Sequence, residues 1–281
     1  MLLQDIHIRD PYILPEGHTY YLYGTRGQDT WGEGRGFDVY VSSDLTEWQG
    51  PVEIFRRTPD FWADRNYWAP EVYRYGGAYY MFASFKSAAQ CRGTAVLKSE
   101  SPLGPFVPYS DGPVTPANWE CLDGTLYISK KNIPYMVFCR EWVQVGDGEI
   151  WAVELSEDLK KAVGAPLYLF KGSDAPWTHK NRERYITDGP FLYRTDRLYM
   201  LWSGVTDAGY VQGISVSDNG ELTGRWIHSE RLLFDRNGGH GMVFQGFNGK
   251  QYYTCHCPNV FPNERPVIQE LKSGWEGLAF Y

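Results

Sequence analysis

Asp5-Ile-His-Ile-Arg-Asp-Pro-Tyr-Ile-Leu14, followed after a turn at Gly17 by Thr19-Tyr-Tyr-Leu-Tyr-Gly24, decides how this chain is read. A polar cluster ends in Asp10-Pro11 and gives way to an apolar run. The turn then leads into a second run that is apolar and aromatic. That order predicts a strand, a turn and a strand, with an acid at the entrance of the first strand. Pro11 has no N–H to give to a ladder, so it belongs at a strand's first residue or edge, and Asp10 beside it sits at the lip of a sheet.

The arrangement returns four times. It is found in Trp68-Ala-Pro-Glu-Val-Tyr-Arg-Tyr75 with Ala78–Ala83, and in Cys121-Leu-Asp-Gly-Thr-Leu-Tyr127 with Pro134–Phe138. It comes again in Thr187-Asp-Gly-Pro-Phe-Leu-Tyr193 with Leu198–Trp202, and in Gly239-His-Gly-Met-Val-Phe244 with Gln251–Thr254. The copies recur at roughly 50 to 65 residues, at or just beyond the spacing of propeller and solenoid repeats. Their polar heads are Asp10, Glu71, Asp123, Asp188 and His240.

A second hairpin recurs behind the first. Phe37–Ser43 alternates as a half-buried strand does, and Ser43–Trp48 turns into an outer strand. Thr94–Phe106, Glu149–Leu159 and Gly213–Trp226 are further versions. Each unit thus holds about four strands, the size of one propeller blade. The expected fold is all-β, a five-bladed β-propeller, with residues 1–281 forming one domain. Leu155–Val163 is the one stretch expected to make a short helical turn. Arg265–Leu271 and Trp275–Leu278 are expected to supply strands that close the ring.

Composition limits the partners. The chain of 281 residues carries a net charge of −7 and no basic patch, which excludes nucleic acid as the main partner. No apolar run approaches the ~18 residues of a membrane span, and the N-terminus lacks the charged start and apolar stretch of a signal peptide. Five scattered cysteines make a poor disulfide framework. Reduced thiols point to the cytoplasm, unless a leader has been removed from a secreted protein. Cys255-His-Cys257 has no second Cys/His pair to complete a zinc site. The glycine-rich stretch Arg26–Phe37 lacks phosphate-loop spacing and no helix follows it, so no nucleotide role is assigned. Aromatics reach 16%, with 11 Trp and 21 Tyr, which suits strands and also sugar stacking.

In a propeller the innermost strands start near the central channel, so the five polar heads are expected to converge on one funnel. Gathering carboxylates there is costly, because like charges raise one another's pKa. Stability alone gives no reason for such a cluster. Two carboxylates flanking a glycosidic bond, one ionised to activate water and one protonated to donate, make a glycosidase, and a third acid can raise the donor's pKa.

At this point the sequence resembles the family 43 glycoside hydrolases, over essentially its whole length. The resemblance rests on Arg9-Asp-Pro-Tyr12, Trp68-Ala-Pro-Glu-Val72, Leu122-Asp-Gly-Thr125, Thr187-Asp-Gly-Pro-Phe-Leu-Tyr193, Gly238-Gly-His-Gly241 and Asn263-Glu-Arg-Pro266. It implies an inverting hydrolase. Asp10 matches the general base, and Asp123 matches the acid that orients the donor and raises its pKa. Asp188 falls where the family usually has Glu as general acid, so its carboxyl sits about 1.3–1.5 Å further back. Glu71, Glu141 and Glu183 are the rival acids. His240 matches a residue near the axis that contacts a bound cation, commonly calcium, through water; the chemistry itself requires no cofactor. Trp68 and Arg265 lie in segments that line the sugar pocket in relatives. Trp31 is read as a stacking ring or a loop anchor, and Glu141 as a residue of the pocket rim.

The expected activity is exo-hydrolysis of a terminal pentose, α-L-arabinofuranose first, from an oligo- or polysaccharide. β-Xylosidase or galactose-directed hydrolysis is the nearest alternative, and a non-catalytic carbohydrate-binding propeller the alternative of another class. Oligomeric state is not legible.

Overall fold

A computed structural model describes residues 1–179, 183–272 and 274 of the chain. Its strands form five antiparallel sheets in chain order. The first is β1 (Ile8–Glu16), β2 (Thr19–Arg26), β3 (Gly36–Ser42) and β4 (Gln49–Arg56). The second is β5 (Arg65–Tyr75), β6 (Ala78–Lys86), β7 (Gly93–Ser99) and β8 (Val107–Pro113). The third is β9 (Cys121–Ile128), β10 (Pro134–Arg140), β11 (Glu149–Leu155) and β12 (Ala162–Lys171). The fourth is β13 (Asp188–Arg194), β14 (Leu198–Thr206), β15 (Gly209–Ser217) and β16 (Trp226–His228). The fifth is β17 (Gly239–Gln245), β18 (Gln251–His256) and β19 (Pro266–Glu270), three strands among the described residues. The inner strands touch in sequence, β1 with β5, β5 with β9, β9 with β13, β13 with β17 and β17 with β1, so the ring is closed. This is the five-bladed propeller that the repeats predict.

The apolar cores lie between the blades rather than on the axis. One cluster joins blades one and two through Phe37, Phe55, Tyr67 and Phe85. Others join blades two and three through Phe82 and Phe138, three and four through Phe170 and Trp202, and four and five through Leu201 and Tyr253. Each sheet therefore buries both faces, and the second strands read as nearly unbroken apolar runs, as in Leu198-Tyr-Met-Leu-Trp202. The axis is left to polar groups.

One expectation is corrected here. Ser156–Lys161 is a hairpin turn, not helix. Ser156 N–H donates to Lys161 O, the Ser156 hydroxyl bonds Asp158 Oδ1, and Leu159 has φ of 65°, which no right-handed helix accepts. The α-helix of the described residues is α1, Trp142–Val145. In the ring closure, β19 pairs with β18, and Trp275–Leu278 lies outside the described residues.

The first and last blades are joined through side chains. Arg9 Nη1 is 2.9 Å from Glu264 Oε1 and Arg9 Nη2 donates to Asn259 Oδ1 at 2.9 Å. Glu264 is buried. Removing one member of a buried ion pair strands the other, at a cost of about 3–5 kcal/mol. Glu264→Ala is expected to lose that much in chemical denaturation, with Glu264→Gln losing less. A change below about 1 kcal/mol, the range of an exposed pair, would show that the closure does not depend on it.

Candidate active site

Beside a further left-handed residue at Asn66 (φ 54°) in β5, each inner strand shares one left-handed backbone step. It falls at Asp10 (φ 53°), Ala69 (46°), Asp123 (57°), Gly189 (51°) and His240 (50°). The pairing register shifts at these points, as between Arg9 and Tyr12 or between Gly239 and Met242, so each step is a β-bulge. Asp, His and Gly tolerate positive φ better than other residues. The local backbone thus asks for the same residue types as the chemistry. The preceding residue faces a fixed place on the second strand: Arg9 opposite Thr25, Trp68 opposite Ser84, Leu122 opposite Cys139, Asp188 opposite Ser203 and Gly239 opposite His256.

This register revises the list of equivalent heads. Ala69 and Gly189, not Glu71 and Asp188, take the repeated position in blades two and four. Glu71 lies two residues further along its strand and does not line the cavity that holds the aspartates. Its carboxylate accepts the Tyr73 hydroxyl, and burial pushes it up to about 7. Asp188 lies one residue before its bulge. A side chain at Gly189 would meet the His240 ring at 2.6 Å, so glycine is required beside the acid.

Asp10, Asp123 and Asp188 nevertheless line one cavity of about 390 Å³, together with His240. Trp31, Trp68 and Glu141 border the same hollow. Asp10 Oδ2 accepts the Thr25 hydroxyl at 2.6 Å, and its Oδ1 is 3.2 Å from His240 Nδ1. That same His240 nitrogen is 3.7 Å from Asp123 Oδ2. Asp123 Oδ2 also accepts the Gly189 N–H at 3.0 Å. Asp188 Oδ2 accepts the Tyr210 hydroxyl at 3.1 Å.

The remaining expected residues divide. Trp68 donates its indole N–H to Thr30 O at 2.6 Å and lies under the Arg92 guanidinium, 4.4 Å from the ring centroid. Trp31 meets Trp68 edge-on at 5.5 Å and is 60% exposed, a ring on the rim. Glu141 is buried and paired with Arg92. Glu183 lines an adjoining cavity of about 360 Å³ that shares Trp142, Ile186 and Val205 with the first, and does not line the cavity of the aspartates. Arg265 is not in the hollow. It donates to Gln4 O, Pro262 O and Glu264 O, which makes it part of the ring closure. Among the described residues, the arginine that lines the cavity is Arg9.

Several residues of the site carried no readable signal. Tyr210 comes from a third strand, Asn259 and Phe261 from a loop, and Trp142 from α1. His256 stood in view within Cys255-His-Cys257. Its Nδ1 accepts the Asp10 N–H at 3.2 Å, which leaves Nε2 to donate to Asn259 Oδ1 at 3.1 Å. The ring also passes 3.3 Å from Asp10 Oδ1, but with Nδ1 engaged by the N–H it orients the backbone rather than the carboxylate.

A family model described as glycosyl hydrolases family 43 matches residues 5–276. The chain belongs to glycosyl hydrolases family 43. It is accordingly an inverting glycoside hydrolase with a carbohydrate substrate. This family 43 chain is 24% identical to the extracellular exo-α-(1→5)-L-arabinofuranosidase ArbA of Cellvibrio japonicus, over 98% of its own length and 85% of ArbA. It is 25% identical to a xylosidase/arabinosidase of Butyrivibrio fibrisolvens, over 95% of its length and 47% of that protein. The crystal structure of an endo-arabinase from Bacteroides thetaiotaomicron superposes with a TM-score of 0.89 at 40% identity, covering 97% of this chain and 96% of that one. ArbA's extracellular location runs against the cytoplasmic expectation.

Electrostatics separate the three acids of the family 43 site. Burial alone would raise the Asp10 carboxyl, but His240 and Arg9 outweigh it and hold Asp10 well below the usual carboxylate range. Burial, then the Asp10 charge, raises Asp123 well above that range. Burial, then Asp123, pushes Asp188 up to about 7. Burial and the Asp188 charge keep the Tyr210 hydroxyl protonated, so it donates. One ionised carboxylate thus faces a coupled pair that retains a proton at neutral pH.

A cation at the axis would take His240 as its contact. Among the described residues no group of three or more His, Cys, Asp or Glu is arranged to hold a metal ion. Water would have to fill the remaining positions, as the resemblance implies, and no chemical step is routed through such an ion.

Proposed function

We propose that this hydrolase removes terminal α-L-arabinofuranosyl units by single displacement. The observation that carries the reading is that Asp10 and Asp188 line one hollow, with the Asp10 carboxyl held below the usual range and the Asp188 carboxyl pushed up to about 7. Asp10 takes a proton from water as the water oxygen attacks the anomeric carbon. The glycosidic C–O bond breaks, its electrons go to the leaving oxygen, and Asp188 supplies that oxygen with a proton. Asp123 holds the Gly189 peptide and raises the donor's pKa. Trp68 and Trp31 offer ring surfaces to the sugar. Glu141, clamped by Arg92, shapes the rim and is a poor rival for Asp188, because its carboxylate is already engaged. The relatives named for arabinose linkages support the pentose over a hexose.

A second reading, internal cleavage of arabinan, is favoured by the adjoining cavity across Trp142, Ile186 and Val205, which gives a chain room beyond the acids. Linear α-1,5-arabinan separates the two. Exo-action yields arabinose from the earliest time point, with NMR showing the β-anomer first. Early oligosaccharides with little monosaccharide would favour the second reading. Faster turnover of an aryl β-xyloside than of an aryl α-L-arabinofuranoside would replace the sugar.

A further inference from the structure

Four of the five blade junctions hand a strong side-chain acceptor to the N–H of the left-handed residue on the next inner strand. Thr25 Oγ1 takes Ala69 N–H, Ser84 Oγ takes Asp123 N–H and Ser203 Oγ takes His240 N–H, each at 2.8 Å. His256 Nδ1 takes Asp10 N–H at 3.2 Å. All four acceptors occupy one place on the second strand, opposite the residue before the bulge. In the third blade that place belongs to Cys139, which is buried opposite Leu122. A thiol sulfur is a weak acceptor. The Gly189 N–H, which would be its partner, donates instead to Asp123 Oδ2 at 3.0 Å.

We infer that Cys139 is a positioning residue: by withholding the acceptor that its counterparts supply, it leaves the Gly189 N–H to hold the Asp123 carboxylate beside Asp188. The inference rests on the roles proposed above for Asp123 and Asp188. The Gly189 nitrogen directly follows Asp188, so the bond ties Asp123 to the backbone that carries the donor. A hydrogen bond to a carboxylate favours its charged form, so within the coupled pair it biases the retained proton toward Asp188. The thiol adds no charge between the two acids, because burial and then the charges of Asp123 and Asp188 push it well above its ordinary value. A hydroxyl of similar size would serve the fold as well or better, as Ser84 and Ser203 do. The exchange to sulfur falls at the junction that faces the acid pair.

The test compares Cys139→Ser and Cys139→Ala by the pH dependence of kcat/KM on an arabinoside with a poor leaving group. The serine hydroxyl is expected to draw the Gly189 N–H away from Asp123. The retained proton then shifts toward Asp123, and Asp188 gives up its share at lower pH. The alkaline limb should move down by about 0.5–1 unit, the scale of one lost hydrogen bond to a carboxylate. Cys139→Ala offers no acceptor and should leave the limb in place, whatever it costs in melting temperature. A limb that stays or rises in the serine variant, or that moves in the alanine variant, overturns the inference. The alanine arm decides alone if the serine variant does not fold. Failure of the underlying roles looks different, since the wild-type alkaline limb would then persist in Asp188→Ala.

Discussion

Asp10→Asn is expected to lower kcat by about 10²–10⁴-fold, the usual contribution of a positioned general base, while arabinose binding changes little. The amide keeps the size of the carboxyl and can still accept the Thr25 hydroxyl that bonds Asp10 at 2.6 Å. It cannot take a proton from water. His256 still receives the backbone N–H of residue 10, so the bulge is retained. Calorimetric titration with arabinose or a short arabino-oligosaccharide measures the binding, and single-turnover rates measure the chemistry. Turnover near wild type would remove Asp10 as the base. Loss of binding in step with turnover would make it a sugar ligand instead.

The same substitution has a signature in stability. The Asp10 pKa is depressed in the folded protein, so its charge stabilises the fold above the unfolded carboxylate value of about 3.9, and that stability is lost as pH falls. Wild type should therefore exceed Asp10→Asn in melting temperature at neutral pH, with the gap closing below about pH 4. Removing the Asp10 charge also relieves one cause of the raised Asp123 pKa.

The order of blades was legible because each repeat opens on a polar residue and continues as a buried strand. What the pattern did not contain is which residue makes the left-handed step. In blades one, three and five the polar head and the bulge coincide, at Asp10, Asp123 and His240. In blade two the matching bulge falls at Ala69, so Glu71, which looks like the head in sequence, is buried against Tyr73 and does not line the cavity. In blade four it falls at Gly189, and Asp188 reaches the same cavity from one position earlier. A repeat read in one dimension is uncertain by a residue or two, and on a strand one residue reverses the face. Arg265 failed for a related reason. Arg9 and Arg265 both sit at the junction of the first and last blades, and only packing decides which guanidinium turns inward. Tyr210 and Asn259 come from a third strand and a loop whose sequences carry no repeat that would place them. His256 was conspicuous, but its neighbouring cysteines suggested metal chemistry, while its partner is a peptide N–H 246 residues away.

Asp188→Ala is expected to lose far more rate on substrates with poor leaving groups than on activated aryl arabinosides, by about 10²–10⁴-fold on the former. A nitrophenolate departs without a proton, whereas a sugar alkoxide does not. The pH profile supplies the second arm. With Asp188 pushed up to about 7, the donor is protonated below that pH, and kcat/KM should fall as pH rises through it. That limb should vanish in the alanine variant. Stability supplies the third, with the sign opposite to that at Asp10. The folded chain holds the Asp188 proton more tightly than the unfolded chain does. Wild type therefore loses stability relative to Asp188→Ala as pH rises from about 4 to about 7, and the difference is constant above that. Melting curves at several pH values across this window measure it. Equal losses on both substrate classes, with the alkaline limb retained, would transfer the donor's role to another acid. Two of the neighbouring carboxylates are already committed: Glu141 to Arg92, and Glu71 to Tyr73. Glu141 or Glu71 could replace Asp188 as donor only if its pair opened when the sugar binds, which ties the identity of the acid to the rigidity of the funnel around it.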